Sequence, residues 1–355
     1  MFAIDALRPS TAPRSNDTEC RLHHPDPRAR WRVTSPITAM IPLRFQPIYQ
    51  TRVWGGRMME TELGHKLPDD KPYGESWEIC DRKEAQSIVA DGRLKGKTLH
   101  QLWTEHRAEV FGAQHKDNPA PRFPVLVKIL DCRDKLSVQV HPPSHAAKKL
   151  NAEPKTEMWF VARADADAKL YAGLRKGVTR FDFEQALLQG GVEDLLHVIP
   201  AQEGEALLLP SGRIHALGAG LVIYEIQQNS DSTFRVYDWN RPGLDGKPRE
   251  LHVAQSLECI NFQDFEPDLQ QPGRNGLLPG CPHFMVRHLT LKPGEHSKSL
   301  AKPDDFSVIA IVRGSAKLIE ETLKPGDFRL LPSTLGDATL AAGDEGLEWL
   351  EIAMP

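Results

Sequence analysis

Gly204-Glu205-Ala206-Leu207-Leu208-Leu209-Pro210-Ser211-Gly212-Arg213-Ile214-His215 runs from a glycine turn through an apolar stretch to a Pro-x-Gly turn and a histidine. A short apolar run bounded by turn formers has the length of a strand and is too short for a helix. The pattern G-x5-P-x-G-x2-H therefore predicts an imidazole carried at the end of a short β-strand. Its first half recurs at Gly326-Asp327-Phe328-Arg329-Leu330-Leu331-Pro332-Ser333. There the chain continues Thr334-Leu335-Gly336-Asp337, with no histidine. The echo implies two related β units, the first with metal ligands and the second without. His296, in the second unit, lacks partners in the pattern and reads as a surface residue.

Outward from this stretch, β-signals dominate. Residues 157–161, 221–226, 284–291, 306–312, 328–331 and 347–352 read as strands separated by Gly and Pro turns, the pattern of double-sheet jelly rolls. Two helices are expected. One spans 99–111 with Thr98 as N-cap and Gly112 beyond its end. The other spans 180–198, opened by a Thr179/Asp182 capping box and interrupted at Gly190-Gly191. Residues 1–39 hold six Arg, no Lys and five Pro without helical periodicity. They read as a disordered extension, or as sequence ahead of a start at Met40.

The chain has 355 residues, 40% hydrophobic and 26% charged, with a net charge of −4. That length allows two domains and a well-buried core, expected at 40–262, which carries the metal and helical insertions, and at 263–355, the degenerate copy. A slightly acidic balance offers no basic face for nucleic acid or anionic lipid. No apolar run reaches the ~18 residues of a membrane span. Cys20, Cys80, Cys132, Cys259 and Cys281 are scattered without a CxxC pair. They read as free thiols in a reducing cytoplasm.

Successive side chains of a strand point to opposite faces. Leu136, Val138 and Val140 are expected to face a core, and Ser137, Gln139 and His141 a lumen. Glu157 heads the next strand, and His215 closes the motif above. Two imidazoles and a carboxylate can bind Zn2+ with a position left open for water or substrate. The same set suits non-haem Fe2+. An amide oxygen from Gln139 leans toward zinc, but ligand counting leaves the metal open. His145 follows Pro142-Pro143, which disfavours a helical pairing with His141, and reads as exposed.

The segment from Gln227 to Arg241 is polar between two apolar strands; Glu225 precedes it and Arg235 lies within it. Folded over a barrel mouth, it would bring a carboxylate able to move a carbon-bound proton and a guanidinium able to bind phosphate or an oxyanion. Without a Walker-type loop, a phosphate would have to be held by side chains such as Lys128, Ser137, Lys155 or Arg235. Trp54 and the segment Gly74-Glu75-Ser76-Trp77-Glu78 read as packing and turn geometry. An iron-dependent oxygenase or a non-catalytic sugar-binding protein could carry the same metal set.

Arg52-Val53-Trp54-Gly55-Gly56, Gly74-Glu75-Ser76-Trp77-Glu78, Leu136-Ser137-Val138-Gln139-Val140-His141-Pro142, Lys155-Thr156-Glu157-Met158-Trp159 and residues 228–238 occur in one order. From about Pro42 onward this order resembles the type I mannose-6-phosphate isomerases of the cupin superfamily, in their shorter bacterial form. The resemblance implies a mainly β fold: two cupin-type jelly-roll barrels with a few short helices. It implies one zinc ion on Gln139, His141, Glu157 and His215, and Glu225 as proton-transfer carboxylate. It also implies an essential Arg235, lysines Lys128 and Lys155 near the substrate, and Ser137 on the phosphate. A metal-bound water, His141 or Lys155 remains an alternative base. The implied reaction interconverts mannose 6-phosphate and fructose 6-phosphate through an enediol. The implied partner is a small-molecule sugar phosphate, with no nucleic acid and no membrane, for a cytoplasmic monomer or homodimer. Many cupins have Asn four residues after the motif histidine; here that residue is Ala219.

Overall fold

The computed structural model describes residues 40–355, so the expectations for residues 1–39 lie outside it. The described chain is mainly β and antiparallel, with short helices, as the sequence implied. A six-stranded sheet runs Ile48–Gly56, Tyr73–Ile79, Val125–Cys132, Leu221–Gln228, Glu157–Ala164, Ala206–Leu209. A five-stranded sheet runs Phe234–Tyr237, Val138–Val140, His215–Leu217, Lys169–Leu174, Leu196–Pro200. Neighbouring strands are mostly non-consecutive, so the chain crosses repeatedly from one sheet to the other, as in a jelly roll. A third sheet runs Met285–Leu291, Leu340–Ala353, Ser307–Leu318, Glu321–Leu323, with Phe328–Leu331 also paired to Ser307–Leu318.

The two-residue period decides what lies between the sheets. On Leu221–Gln228, the side chains of Val222, Tyr224 and Ile226 join an outer core with Trp103, Phe111, Phe306 and Leu350. Leu221 and Ile223 turn inward and pack with Trp159, Val161, Leu170, Leu207 and Leu217. Glu225 and Gln227 occupy the next two inward positions. One strand thus passes from an apolar floor to a polar site without changing face. Outside the five-stranded sheet, Val138, Val140 and Ala216 pack with Phe183 and Val192. Tyr224 ties the outer layers together: its hydroxyl donates to Ile311 O and accepts from Gly326 N, both at 2.9 Å.

The echoed motif is one turn–strand unit used twice. Ala206–Leu209 pairs with Glu157–Ala164, and Phe328–Leu331 pairs with Ser307–Leu318. Each follows a glycine at φ 86°, Gly204 or Gly326, a conformation that side chains disfavour.

Several expectations change in detail. The helix expected at 99–111 is two helices, Leu99–Glu105 and Arg107–Phe111, parted at His106 (φ −121°, ψ 21°). Thr98 caps the first through a reciprocal box with Gln101. The helix expected at 180–198 ends at Gln189, because Gly190 and Gly191 both adopt positive φ. A 3-10 turn at Val192–Leu195 follows, and Leu196–Pro200 is a strand, where Val198-Ile199 suits the sheet edge. Leu136 packs between the sheets, with Trp54 and Leu130, rather than with Val138 and Val140. It precedes the strand, so the pleat does not govern its direction.

Candidate active site

Gln139 stands opposite His215 on one neighbouring strand and Arg235 on the other. Amide, imidazole and guanidinium therefore form one row across the five-stranded sheet. On the six-stranded sheet, Trp77, Lys128, Glu225 and Trp159 form a row, and Gln227 and Glu157 begin the next. The two sets of inward side chains meet at one end of the lumen.

His141, Glu157 and His215 are buried and present ligand atoms within 4.8 Å of one another. His141 Nδ1 lies 2.9 Å from Ser232 O, and His215 Nδ1 lies 2.9 Å from Arg213 O. A ring nitrogen facing a carbonyl carries the proton, which leaves each Nε2 with a free lone pair. Those Nε2 atoms sit 3.1 Å and 3.4 Å from the Glu157 oxygens. Burial, reinforced by the Lys155 ammonium, lowers the His141 pKa to about 4, so the imidazole is neutral. Both Nε2 atoms and Glu157 Oε1 are buried without a hydrogen-bond partner, while Glu157 Oε2 faces the Lys155 ammonium. Three converging acceptors without donors are costly unless a further cation joins them. The residues present fit a divalent metal. Among the described residues this is the one such cluster of His, Cys, Asp and Glu. His145 and His296 are both exposed, as expected.

A ladder of alternating charge leads away from the cluster. Lys155 Nζ lies 2.9 Å from Glu157 Oε2 and 4.0 Å from Glu225 Oε1. Lys128 Nζ lies 3.4 Å from Glu225 Oε1 and 3.8 Å from Glu75 Oε2. Arg52 then grips both Glu75 oxygens, at 2.8 Å and 3.1 Å. Burial would raise the Glu75 pKa, but Lys128 and Arg52 override it and bring it down to about 2. Burial would likewise lower the Lys128 pKa, but Glu75 and Glu225 hold it above its ordinary value. Trp159 Nε1 donates to Glu225 Oε2 at 3.1 Å.

These groups open onto a cavity of about 550 Å3. Ser137, Gln139, Lys128, Lys155, Glu225 and Arg235 all line it, whereas His141, Glu157 and His215 form the adjacent cluster that Lys155 contacts. Arg235 Nη1 donates to Glu250 O at 2.9 Å, whereas its buried Nε has no partner. Among the described residues it is the one cation of this wall without an acidic partner, since Arg52 pairs with Glu75 and Arg249 with Asp238. Burial and the neighbouring Arg249 lower its pKa. An unpaired guanidinium beside a second one is set to receive an anion. A second cavity, of about 610 Å3, surrounds Gly220 at the start of the strand whose far half carries Glu225. Among the described residues, no metal-ligating cluster lines it.

Sequence reasoning missed Arg52, Glu75, Trp159 and Arg249. Packing does account for Trp54, which is buried in the inner core. For Glu75 the expectation of turn geometry is overturned, because its carboxylate belongs to the charge ladder. The glycines nearby explain how. A Cβ on Gly55 would lie 2.4 Å from Gly74 N, and one on Gly74 would lie 2.6 Å from Arg52 Cβ. Only glycine allows this strand approach, which delivers Arg52 to Glu75. The available signal was an Arg and a Glu, each close to a glycine, on consecutive strands.

A candidate metal cluster between the sheets of a jelly roll, beside a charged cavity, gives the chain the architecture of the cupin class. The family model for phosphomannose isomerase type I, catalytic domain, matches residues 42–161. The chain is 34% identical over 312 residues to the mannose-6-phosphate isomerase ManA of Bacillus subtilis, spanning 84% of this chain and 95% of that one. It is 32% identical over 306 residues to the mannose-6-phosphate isomerase of Streptococcus mutans, spanning 83% and 93%. The crystal structure of the mannose 6-phosphate isomerase from Bacillus subtilis matches with a TM-score of 0.77 at 30% identity, covering 89% of this chain and 100% of that one. The chain belongs to the type I mannose-6-phosphate isomerase family.

Proposed function

We propose that this chain interconverts mannose 6-phosphate and fructose 6-phosphate by moving a proton between C2 and C1 through an enediol. One observation carries the reading. Lys155 lies 2.9 Å from Glu157 of the His141–Glu157–His215 cluster and 4.0 Å from Glu225, and Lys155 and Glu225 both line the charged cavity. We assign this work to residues 40–262, with residues 263–355 as the copy without metal.

Gln139, His141, Glu157 and His215 would hold one zinc ion, with Fe2+ open to the same ligand set. When bound, the ion supplies Lewis acidity at the sugar oxygens. Glu225 takes the proton from one carbon and returns it to the other. Lys128 and Lys155 flank that carboxylate and keep the developing negative charge of the sugar compensated. Arg235 receives the remaining negative charge, on the enediolate or on the phosphate. Ser137 offers a hydroxyl to the phosphate from the same wall. The cavity volume falls within the range of small-ligand sites. The substrate is a free sugar phosphate, and we place the protein in the cytoplasm as a monomer or homodimer. Among the described residues, no helix is long and apolar enough to cross a membrane.

The test is turnover of mannose 6-phosphate by metal-replete protein, then after chelation and after zinc is restored. Activity that disappears and returns is expected. Undiminished turnover by protein shown to be metal-free would overturn the reading.

A further inference from the structure

Trp159 and Glu225 are direct cross-strand neighbours. The indole N–H donates to Glu225 Oε2 at 3.1 Å, and Trp159 is fully buried. Glu225 Oε1 has no hydrogen-bond partner and stands 3.4 Å from Lys128 Nζ and 4.0 Å from Lys155 Nζ. The two oxygens are therefore unequal. Oε2 is committed to a neutral donor that neither accepts nor releases a proton near pH 7. Oε1 is free and sits among the cations of the cavity wall. The same indole meets the His215 ring edge-on, with centroids 5.3 Å apart at 85°. One rigid side chain thus touches both the proton-transfer group and a metal ligand.

We propose that Trp159 is a positioning residue. It fixes the rotation of the Glu225 carboxylate relative to His215, so that Oε1 is the oxygen that takes and returns the substrate proton. This rests on the reading of Glu225 as the proton-transfer group. In the forward step the Oε1–H bond forms as C2–H breaks. The C–H electron pair becomes the C1=C2 bond, and the C1=O pair moves onto O1. In the return step Oε1–H breaks and C1–H forms, while an O2 pair rebuilds the carbonyl at C2. One proton passes from O2 to O1 to complete the balance. A carboxylate free to rotate would offer either oxygen and lose alignment with C1 and C2, and such misplacement slows reaction without weakening binding.

Trp159→Phe keeps an aromatic ring beside His215 and removes the N–H. Metal content should stay at the wild-type ratio, KM should change by less than about 3-fold, and kcat should fall about 10- to 100-fold, the worth of one hydrogen bond to a charged group. On a Glu225→Asp background, whose shorter arm withdraws from the indole, the same change should cost less than about 2-fold, because coupled residues are not additive. Equal losses in both backgrounds, loss of metal, or an unchanged kcat would each overturn the proposal. If the smaller ring disturbs folding, a benzothienylalanine at 159, with sulfur in place of the N–H, keeps the shape and should give the same kcat loss. Near-wild-type turnover by Glu225→Gln would instead remove the assignment of Glu225, whatever Trp159 does.

Discussion

The partly buried Glu75 and the buried Lys128 lie on adjacent strands of the six-stranded sheet, with carboxylate and ammonium 3.8 Å apart. Glu75 is also the partner of Arg52, so one carboxylate compensates two cations. Glu75→Gln leaves Lys128 with Glu225 alone and the part-exposed Arg52 without a carboxylate, so it should destabilise the fold by about 1–3 kcal/mol. The effect carries a pH signature. The Glu75 carboxyl has an ordinary pKa of 4.5 and is held at about 2 in the fold. As pH falls, the unfolded chain binds the proton first. The stabilisation is complete above 4.5 and is lost as pH falls through about 2. Urea unfolding at pH 7 and pH 3 should show a smaller gap between wild type and variant at the lower pH. An identical gap at both would show that the carboxyl is not depressed.

Glu78 has the opposite sign. Its side chain lies on the other face of the strand, and burial raises its pKa to about 7, with Ser76 as hydrogen-bond donor and Asp327 and Arg329 nearby. Between pH 4.5 and 7 the unfolded chain ionises while the folded one does not, so stability falls as pH rises through that window. Glu78→Gln keeps an acceptor for Ser76 and removes the penalty. The variant should be more stable than wild type by roughly 3 kcal/mol at pH 8, with the advantage vanishing below pH 4.5. A variant that is less stable at pH 8 would show that Glu78 is ionised in the fold.

The contrast between Glu75 and Glu78 shows where the sequence stops being informative. Alternation reveals that Gln139 and His141 share a face, and motif spacing reveals that His215 ends a strand, because both are local properties of the chain. The echo after Gly326 is local too, and it foretold a second turn–strand unit. The partner of Glu75 is Lys128, on a strand reached only after two helices. Nothing in Gly74-Glu75-Ser76-Trp77-Glu78 says which of its two glutamates meets a lysine and which is buried beside Ser76, Asp327 and Arg329. That depends on the bulges between the first two strands, which shift the register past Gln50 and decide what each face of the second strand meets. The same limit applies to Trp159. Its place beside Glu157 marks it as a strand residue, but its N–H finds Glu225 only through the pairing of two strands separated by about sixty residues.

Metal loss should be visible in stability as well as activity. Without a metal ion, the Nε2 lone pairs of His141 and His215 and the Oε1 of Glu157 converge unsatisfied in a buried site. Zinc at a thousandfold excess over its dissociation constant should add about 4 kcal/mol to unfolding free energy by mass action. His215→Ala should abolish that increment and reduce bound metal to background. Thermal unfolding with and without zinc, alongside metal analysis, checks both. A zinc-dependent shift that survives in His215→Ala would place the ion elsewhere.

Arg235 is the group whose removal should affect chemistry most with least damage to the fold. It is half-buried, forms no ion pair, and spends one hydrogen bond on Glu250 O. Arg235→Ala should therefore cost less than about 1.5 kcal/mol of stability. Turnover should fall by about 100- to 1000-fold, the loss typical of removing one preorganised donor to a developing charge. The split between constants identifies the charge it meets. A guanidinium that meets the enediolate acts mainly in the transition state, so kcat falls and KM holds. One that grips the phosphate binds substrate and transition state alike, so KM rises, and the variant loses its preference for mannose 6-phosphate over mannose. Arg235→Lys keeps the charge without the fork and should recover only part of either loss. Near-wild-type kcat and KM in Arg235→Ala would remove this residue from the mechanism and leave Lys128 and Lys155 as the cations that compensate the substrate.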